Sequence, residues 1–111
     1  MTYNEIMEIA EEAGLPIAYD HFAEGESPAP PFLVFLYPAS NNFSADGKVY
    51  VKIDQLRFEL YTDKKQPNIE NKLETVFDEH GLFYNKDEVW IAEEHLYEVL
   101  YDMEVIQNEQ D

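Results

Sequence analysis

Alternation of apolar and polar residues predicts a long strand in the middle of the chain. Residues 48–63 are rich in β-branched and aromatic types and contain neither Gly nor Pro, which is typical of a strand. Their apolar positions are odd-numbered up to Ile53 and even-numbered from Leu56 onward. Because a one-residue slip exchanges the two faces of a strand, we expect a bulge or sharp bend near Asp54 and Gln55.

A second alternating segment, residues 95–105, places Tyr97, Val99 and Tyr101 on one face and acidic residues on the other, and it predicts another strand. Residues 83–84 and 89–91 are expected to form a further strand around a turn at 85–87.

Residues 32–37 are apolar at every position, which favours a central strand covered on both faces and closed by Pro38. The polar, turn-rich stretch 38–47 ends in Asp46-Gly47 and leads directly into the long strand. We therefore expect an antiparallel hairpin with an extended tip.

Two helices are marked by their end signals. Thr2 and Glu5 form a T-x-x-E capping box, and Gly14 follows the apolar positions, which predicts a helix over residues 2–13. Pro67 at a first helical position and Gly81 after the last apolar residue predict a second helix over residues 67–80. Between them, residues 16–19 are interpreted as a short extended segment and the Pro-rich residues 23–31 as an exposed loop.

This order of elements lacks regular βαβ alternation, so we expect an α+β fold: a single domain with a mainly antiparallel sheet of four to five strands and two helices packed on one face. The domain should span residues 1–106, followed by a frayed acidic tail at 107–111. The predicted core is Ile6, Leu33, Phe35, Phe58, Leu60, Leu73, Phe77 and Val99. Two short helices cannot cover every tyrosine, so part of the sheet is expected to meet another subunit through some of Tyr50, Tyr61, Tyr84, Tyr97 and Tyr101.

Composition agrees with one such domain, since the chain has 111 residues, of which 45% are hydrophobic. No apolar run approaches the roughly 18 residues that a membrane span needs, and the acidic N-terminus lacks the basic start of a signal peptide. The chain also contains no Cys, which fits a reducing compartment. We expect a cytosolic protein without membrane attachment.

The formal net charge is −17, and its distribution is uneven. All seven basic residues lie between Lys48 and Lys86, while residues 1–31 contain seven acids and no base. Binding to nucleic-acid phosphates requires clustered Lys and Arg, so direct DNA or RNA binding is disfavoured. A surface that repels DNA or imitates it remains compatible with this charge.

No residue set predicts catalysis, cofactor binding or a metal site. His21, His80 and His95 are scattered, and although Asp78 and Glu79 precede His80, a zinc site needs at least three convergent ligands. His80 near a helix C-terminus is better explained by the helix dipole. There is no Gly-rich phosphate loop, no G-x-S-x-G motif and no Cys nucleophile, so we expect a protein that is not an enzyme.

Four segments carry a resemblance to a known family. Residues 31–37 (PFLVFLY), 41–50 (NNFSADGKVY), 58–65 (FELYTDKK) and 69–74 (IENKLE) resemble small tail-completion, tail-terminator or head-to-tail joining proteins of long-tailed phages and prophages of Gram-positive bacteria. The order of the elements is similar as well, over about residues 14–105. The resemblance identifies no functional residue, because assembly surfaces are not encoded in a short motif.

The resemblance implies a non-enzymatic virion part that assembles as a ring, commonly a hexamer, at the head-proximal end of the tail. Its partners would be further copies of itself, tail-tube proteins and connector proteins, and it would reside in the host cytoplasm before joining the virion. An acidic ring lumen would keep DNA phosphates from sticking. The alternative is a small acidic DNA mimic that inhibits a host nuclease or restriction enzyme.

Overall fold

The computed structural model describes residues 1–23 and 25–106, which form one α+β domain. The predicted tail at 107–111 lies outside these residues. In chain order the elements are α1 (Tyr3–Glu11), β1 (Ile17–Tyr19), β2 (Phe32–Ser40), β3 (Phe43–Ala45), β4 (Lys48–Val51), β5 (Ile53–Thr62), α2 (Pro67–Glu79), β6 (Asn85–Ile91) and β7 (Leu96–Ile106). No helix in this part of the chain is long and apolar enough to cross a membrane.

Five strands form the main sheet in the order β1-β2-β5-β7-β6, and β3 pairs with β4 in a separate two-stranded sheet. The short edge strand β1 runs parallel to β2, whereas the other pairs in the main sheet are antiparallel. The expected mainly antiparallel sheet is therefore present. The central strand, however, is β5, and β2 lies beside it.

Both helices begin where their sequence signals place them. The Thr2 hydroxyl accepts a hydrogen bond from the Glu5 backbone N–H at 3.1 Å and caps α1, and Pro67 is the first residue of α2. Each helix is slightly shorter than predicted. Both are followed by a glycine with positive φ, Gly14 at 74° and Gly81 at 68°, a conformation that glycine adopts without steric cost.

The helices cover the same face of the sheet. Phe77 of α2 packs on Phe58 of β5 with ring centroids 5.0 Å apart, and Tyr3 of α1 contacts Phe35 of β2 at 5.7 Å. All eight residues predicted for the core are completely buried, which confirms the predicted parity of the strands. The opposite side of the sheet carries no helix, and we call it the open face.

A group of charged side chains joins α2 to the edge strand β6. Glu70 is 2% exposed, and Lys65 and Lys86 each place Nζ 2.8 Å from one of its oxygens. Lys86 also donates to Glu74 Oε2 at 2.8 Å, and the same oxygen accepts from the Tyr101 hydroxyl. Burial alone would raise the pKa of Glu70, but the two ammonium groups outweigh it and hold the pKa below its ordinary value.

The long predicted strand is divided at Lys52. Residues 48–51 form β4, residues 53–62 form β5, and the two belong to different sheets. Of the bulge or sharp bend expected near Asp54 and Gln55, the bulge is absent from β5, which pairs with β7 without a register shift, and the chain instead changes sheets at Lys52. The irregularity lies in β2, which uses one more residue than β5 between the pairs Leu36 with Arg57 and Ala39 with Gln55.

Two other predicted boundaries are wrong. Pro38 does not close β2, because it falls in this bulge, where a proline removes no ladder hydrogen bond. Asn85, Lys86 and Asp87 form no turn but open the edge strand β6 and pair with β7. Charged residues suit an exposed edge, and Lys86 directs its ammonium group under α2. The turn between β6 and β7 lies instead at residues 92–95.

Candidate interaction surface

A short hairpin extends beyond the main sheet, and we call residues 43–52 the arm. It consists of β3, β4 and the connecting Lys52, and residues 41–49 are all exposed. Ala45 pairs with Lys48 across Asp46 and Gly47, whose φ angles are 53° and 73°. Two central residues with positive φ define a type I′ turn, the turn whose twist matches that of a two-residue hairpin. The predicted antiparallel hairpin with an extended tip is therefore present, and Asp46-Gly47 forms the turn at the end of the arm.

Two hydrogen bonds fix the base of the arm. The Asn41 backbone N–H donates to the Ile53 carbonyl at 2.8 Å, and the Ile53 N–H donates to Asn42 Oδ1 at 3.0 Å. The arm presents apolar side chains to solvent, with Phe43 60% and Val49 54% exposed. Exposed apolar side chains on a projecting element are suited to contact with another protein surface.

The open face of the sheet has an unusual polar centre. The Tyr61 hydroxyl lies 2.7 Å from Glu98 Oε2 and 3.0 Å from Glu59 Oε1. One hydroxyl proton cannot satisfy both carboxylates at once. Partial burial, followed by the neighbouring negative charge of Glu98, raises the pKa of Glu59, and partial burial and Glu98 likewise raise the pKa of Tyr61. The protonated form of Glu59 is therefore stabilised here.

Next to this centre, Arg57 Nε donates to Asp102 Oδ1 at 2.8 Å across neighbouring strands. The hydrogen bond from the guanidinium to Asp102 raises the pKa of Arg57. This pair forms part of the wall of an open cleft of about 730 Å³ between the open face and the loop that follows α2. The residues lining this cleft are Asn41, Gln55, Arg57, Gly81, Leu82, Phe83, Asn85, Asp102, Met103 and Glu104.

Five tyrosines were expected to supply some contacts to a second subunit; the side chain of Tyr50 lies outside the described part of the structure, and the other four do not share one surface. Tyr101 is completely buried under α2, and Tyr84 packs against it with ring centroids 5.4 Å apart. Tyr97 contacts Trp90 at 4.7 Å near the edge of the sheet. Tyr61 alone among these four lies on the open face. Tyr101 can be buried because its hydroxyl donates a hydrogen bond to the Glu74 carboxylate of α2.

The three histidines lie in different parts of the structure. His80 caps the C-terminus of α2, and its Nε2 lies 2.5 Å from Glu12 Oε2 at the end of α1. His21 contacts the neighbouring Asp20, and His95 occupies the turn before β7 and lies beside Trp90. Among the described residues, no three His, Asp or Glu side chains are grouped so that they could hold a metal ion.

The structure also places most of the two segments predicted to be loops, 38–47 and 23–31. Residues 38–47 contribute the end of β2 and the first half of the arm. Within the Pro-rich segment 23–31, residues 25–27 are exposed, and Phe22 just before it packs on Phe32 with ring centroids 5.4 Å apart. Phe22, just before the segment, therefore covers one end of the open face. No pattern in the sequence predicts the cleft or the Tyr61 centre, because both depend on which residues the strand register brings together.

In comparisons with known proteins, no family model matches the chain, and no curated protein sequence is significantly similar to it.

Proposed function

We propose that this protein is a non-enzymatic structural component of a long-tailed phage or prophage of Gram-positive bacteria and acts in tail completion or head-to-tail joining. It would self-associate as a ring, a hexamer in the virion, and would dock onto tail-tube and connector proteins. Before assembly it would reside in the bacterial cytoplasm.

The observation that carries this proposal is the position of the segments that resemble the phage proteins. Residues 31–37 belong to β2, residues 41–50 to the arm and its base, and residues 58–65 to β5 and the turn that follows. These three segments therefore form one continuous hairpin, of which the arm is the tip. The fourth similar segment, residues 69–74, lies in α2, so the resemblance covers central strands and a helix of the main domain together with the arm.

The surface chemistry supports assembly over catalysis. The arm offers exposed apolar side chains, and the open face offers half-buried residues without a covering helix. Such a mixture of apolar and polar groups is usual at protein interfaces. We propose that the contact elements are the long-strand segment 48–63, whose first part belongs to the arm, the 38–47 segment and the 23–31 segment.

A net charge of −17 suits a ring through which DNA passes, because like charge prevents phosphates from binding to the wall. The same charge opposes the crowding of subunits at low salt. We therefore propose that the ring forms on the tail tube, which supplies a template that the isolated chain lacks.

The test is genetic. The coding sequence is deleted from an inducible prophage, and the particles are examined by electron microscopy, with the deletion complemented in trans as the control. Unjoined heads and tails, or tails of uncontrolled length, are expected. Normal infectious virions from the deletion strain would refute the proposal.

One observation favours the alternative of a DNA-mimic inhibitor. The solvent side of α1 presents exposed carboxylates at Glu5, Glu8, Glu11 and Glu12. Side chains three or four positions apart on a helix are about 5–6 Å apart, so these carboxylates form a regularly spaced row of negative charge, as a DNA mimic requires. Stoichiometric inhibition of a host nuclease by the purified protein, lost in an E8Q/E11Q variant, would support this second function.

A further inference from the structure

The arm is a basic element on an acidic molecule. Residues 43–52 contain Lys48 and Lys52 against the single acid Asp46, while the chain as a whole carries −17. Arg57, the next base in the chain, is paired with Asp102, whereas neither arm lysine forms an ion pair with another described residue. Both lysines are exposed. The arm therefore presents positive charge beside the apolar side chains described above.

The cleft on the open face offers the complementary groups. Asp102 is paired with Arg57. Glu104 accepts a hydrogen bond from the neutral side-chain amide of Asn41 at 2.9 Å, and no cation among the described residues forms an ion pair with it. At the rim, Phe83 is 80% exposed and Leu82 is half-buried. A cleft of about 730 Å³ lies within the range of about 300–1,000 Å³ that holds drug-sized ligands, so it can receive several side chains of a hairpin.

The arm does not fill the cleft of its own molecule. Phe43 and Val49 on the arm and Phe83 on the rim are all largely exposed in the single chain. Asn41, at the base of the arm, lines the cleft, whereas no described residue of the arm itself does. Occupation of the cleft therefore requires an arm from a different molecule.

We propose that the arm of one copy of this chain docks in the cleft of a second copy. The arm lysines would approach Glu104, and Phe43 and Val49 would cover Phe83. Charge complementarity favours this occupant, since among the described residues the Glu104 carboxylate in the cleft and the two arm lysines have no ion-pair partner. The inference rests on the self-association in the proposed function and names the surfaces that would make it.

Disulfide trapping tests the contact directly, because the natural chain contains no Cys. A Val49→Cys chain is mixed with a Phe83→Cys chain under mild oxidation, so that only an intermolecular disulfide can link arm to cleft. The matched control pairs the Val49→Cys chain with Glu93→Cys, an exposed site in the turn at the far end of β7. We expect the V49C–F83C heterodimer to exceed the control about tenfold, as for groups held at a raised effective concentration. Equal yields from the two mixtures would overturn the proposal.

Charge reversal gives an independent readout by sedimentation velocity at one fixed ionic strength. A K48E/K52E chain is compared with a K64E/K72E chain, which has the same net charge but an unaltered arm. We expect self-association about tenfold weaker for the arm variant than for its control, since two attractive contacts become repulsive. An E104K chain should also associate weakly alone, but should associate with the K48E/K52E chain, since each then fits the other. If the mixture is no tighter than either variant alone, the contact is wrong.

These results are separable from the genetic test. If the deletion blocks tail completion but V49C–F83C trapping does not exceed its control, the proposed function stands and the arm-to-cleft contact is refuted. If trapping is specific but deletion of the coding sequence leaves virions normal, the arm-to-cleft contact stands and the phage function is refuted.

Discussion

Leu60 lies on the helix-facing side of β5, and its side chain is completely buried. Replacing it by Ala removes buried methyl groups and leaves a cavity, so L60A is expected to lower the free energy of unfolding by about 2–5 kcal/mol in urea titrations. Val49→Ala, at a site 54% exposed, serves as the control and should change it by less than about 0.5 kcal/mol. A loss under about 1 kcal/mol for L60A would contradict the packing described here.

The carboxylates of Glu59 and Glu70 are expected to affect stability with opposite dependence on pH. The folded-state pKa of Glu59 lies above its ordinary value of 4.5, so the stability it contributes is present below that pH and is lost as pH rises through the folded pKa. The pKa of Glu70 lies below 4.5, so its contribution is present above that pH and is lost as pH falls through the folded pKa.

Glu59→Gln is therefore expected to raise the thermal midpoint at neutral pH, and Glu70→Gln to lower it. Both differences should diminish as the pH falls below the ordinary range of carboxyl groups. The Gln side chain still accepts a hydrogen bond from Tyr61, so the first variant removes charge with little loss of contact. A destabilised E59Q at neutral pH would show that the negative charge on Glu59 is favourable in the folded protein.

The arm is an element separable from the rest of the fold. Its strands pair with each other, and its exposed residues contribute nothing to the core between the sheet and the helices. We expect that replacing residues 43–51 with the dipeptide Asn-Gly, which forms a two-residue hairpin turn, changes the free energy of unfolding by less than about 1 kcal/mol. The hydrogen bonds of Asn41 and Asn42 to Ile53 are retained in this variant.

Chemical denaturation measures the stability of the arm-less variant, and sedimentation velocity measures its association. Association should be lost while the fold is kept. A variant that fails to fold would show that the arm stabilises the sheet, contrary to its exposure.

Elements with local causes were predictable from the sequence. Three such elements depend on residues within a few positions of one another: the cap at Thr2, the start of α2 at Pro67 and the turn at Asp46-Gly47. The errors arose where a partner distant in sequence decides the outcome. Asn85 to Asp87 have turn-like composition, but pairing with β7 holds them in an edge strand.

The candidate surface was less predictable for the same reason. Glu59 and Glu98 are 39 positions apart and meet only because β5 and β7 pair with Tyr61 opposite Glu98. The parity change between Ile53 and Leu56 was visible, but it reflects the passage of the chain from the small sheet to the main sheet. A strand that changes sheets and a strand with a bulge give the same pattern of apolar positions.

The whole molecule is longer than a compact domain of its size. Its principal extents are 49 × 29 × 23 Å, and its radius of gyration is 15.0 Å, compared with about 13 Å for a compact chain of this length. The projecting arm is consistent with this elongation. An elongated subunit with an accessible arm can reach a neighbour before the acidic bodies of the two molecules are in close contact.

Net charge should dominate the salt dependence of self-association. Each copy carries −17, and the Debye length shortens to about 8 Å near 0.15 M salt, so added salt screens repulsion between whole molecules. We expect sedimentation velocity to show stronger association as ionic strength rises, although salt also weakens the local attraction between arm and cleft. An E8Q/E11Q variant, which removes two exposed charges on α1, should associate more strongly than the natural chain at low salt and depend less on salt. If association instead weakens steadily with salt, attraction between opposite charges would outweigh the repulsion of the acidic bodies.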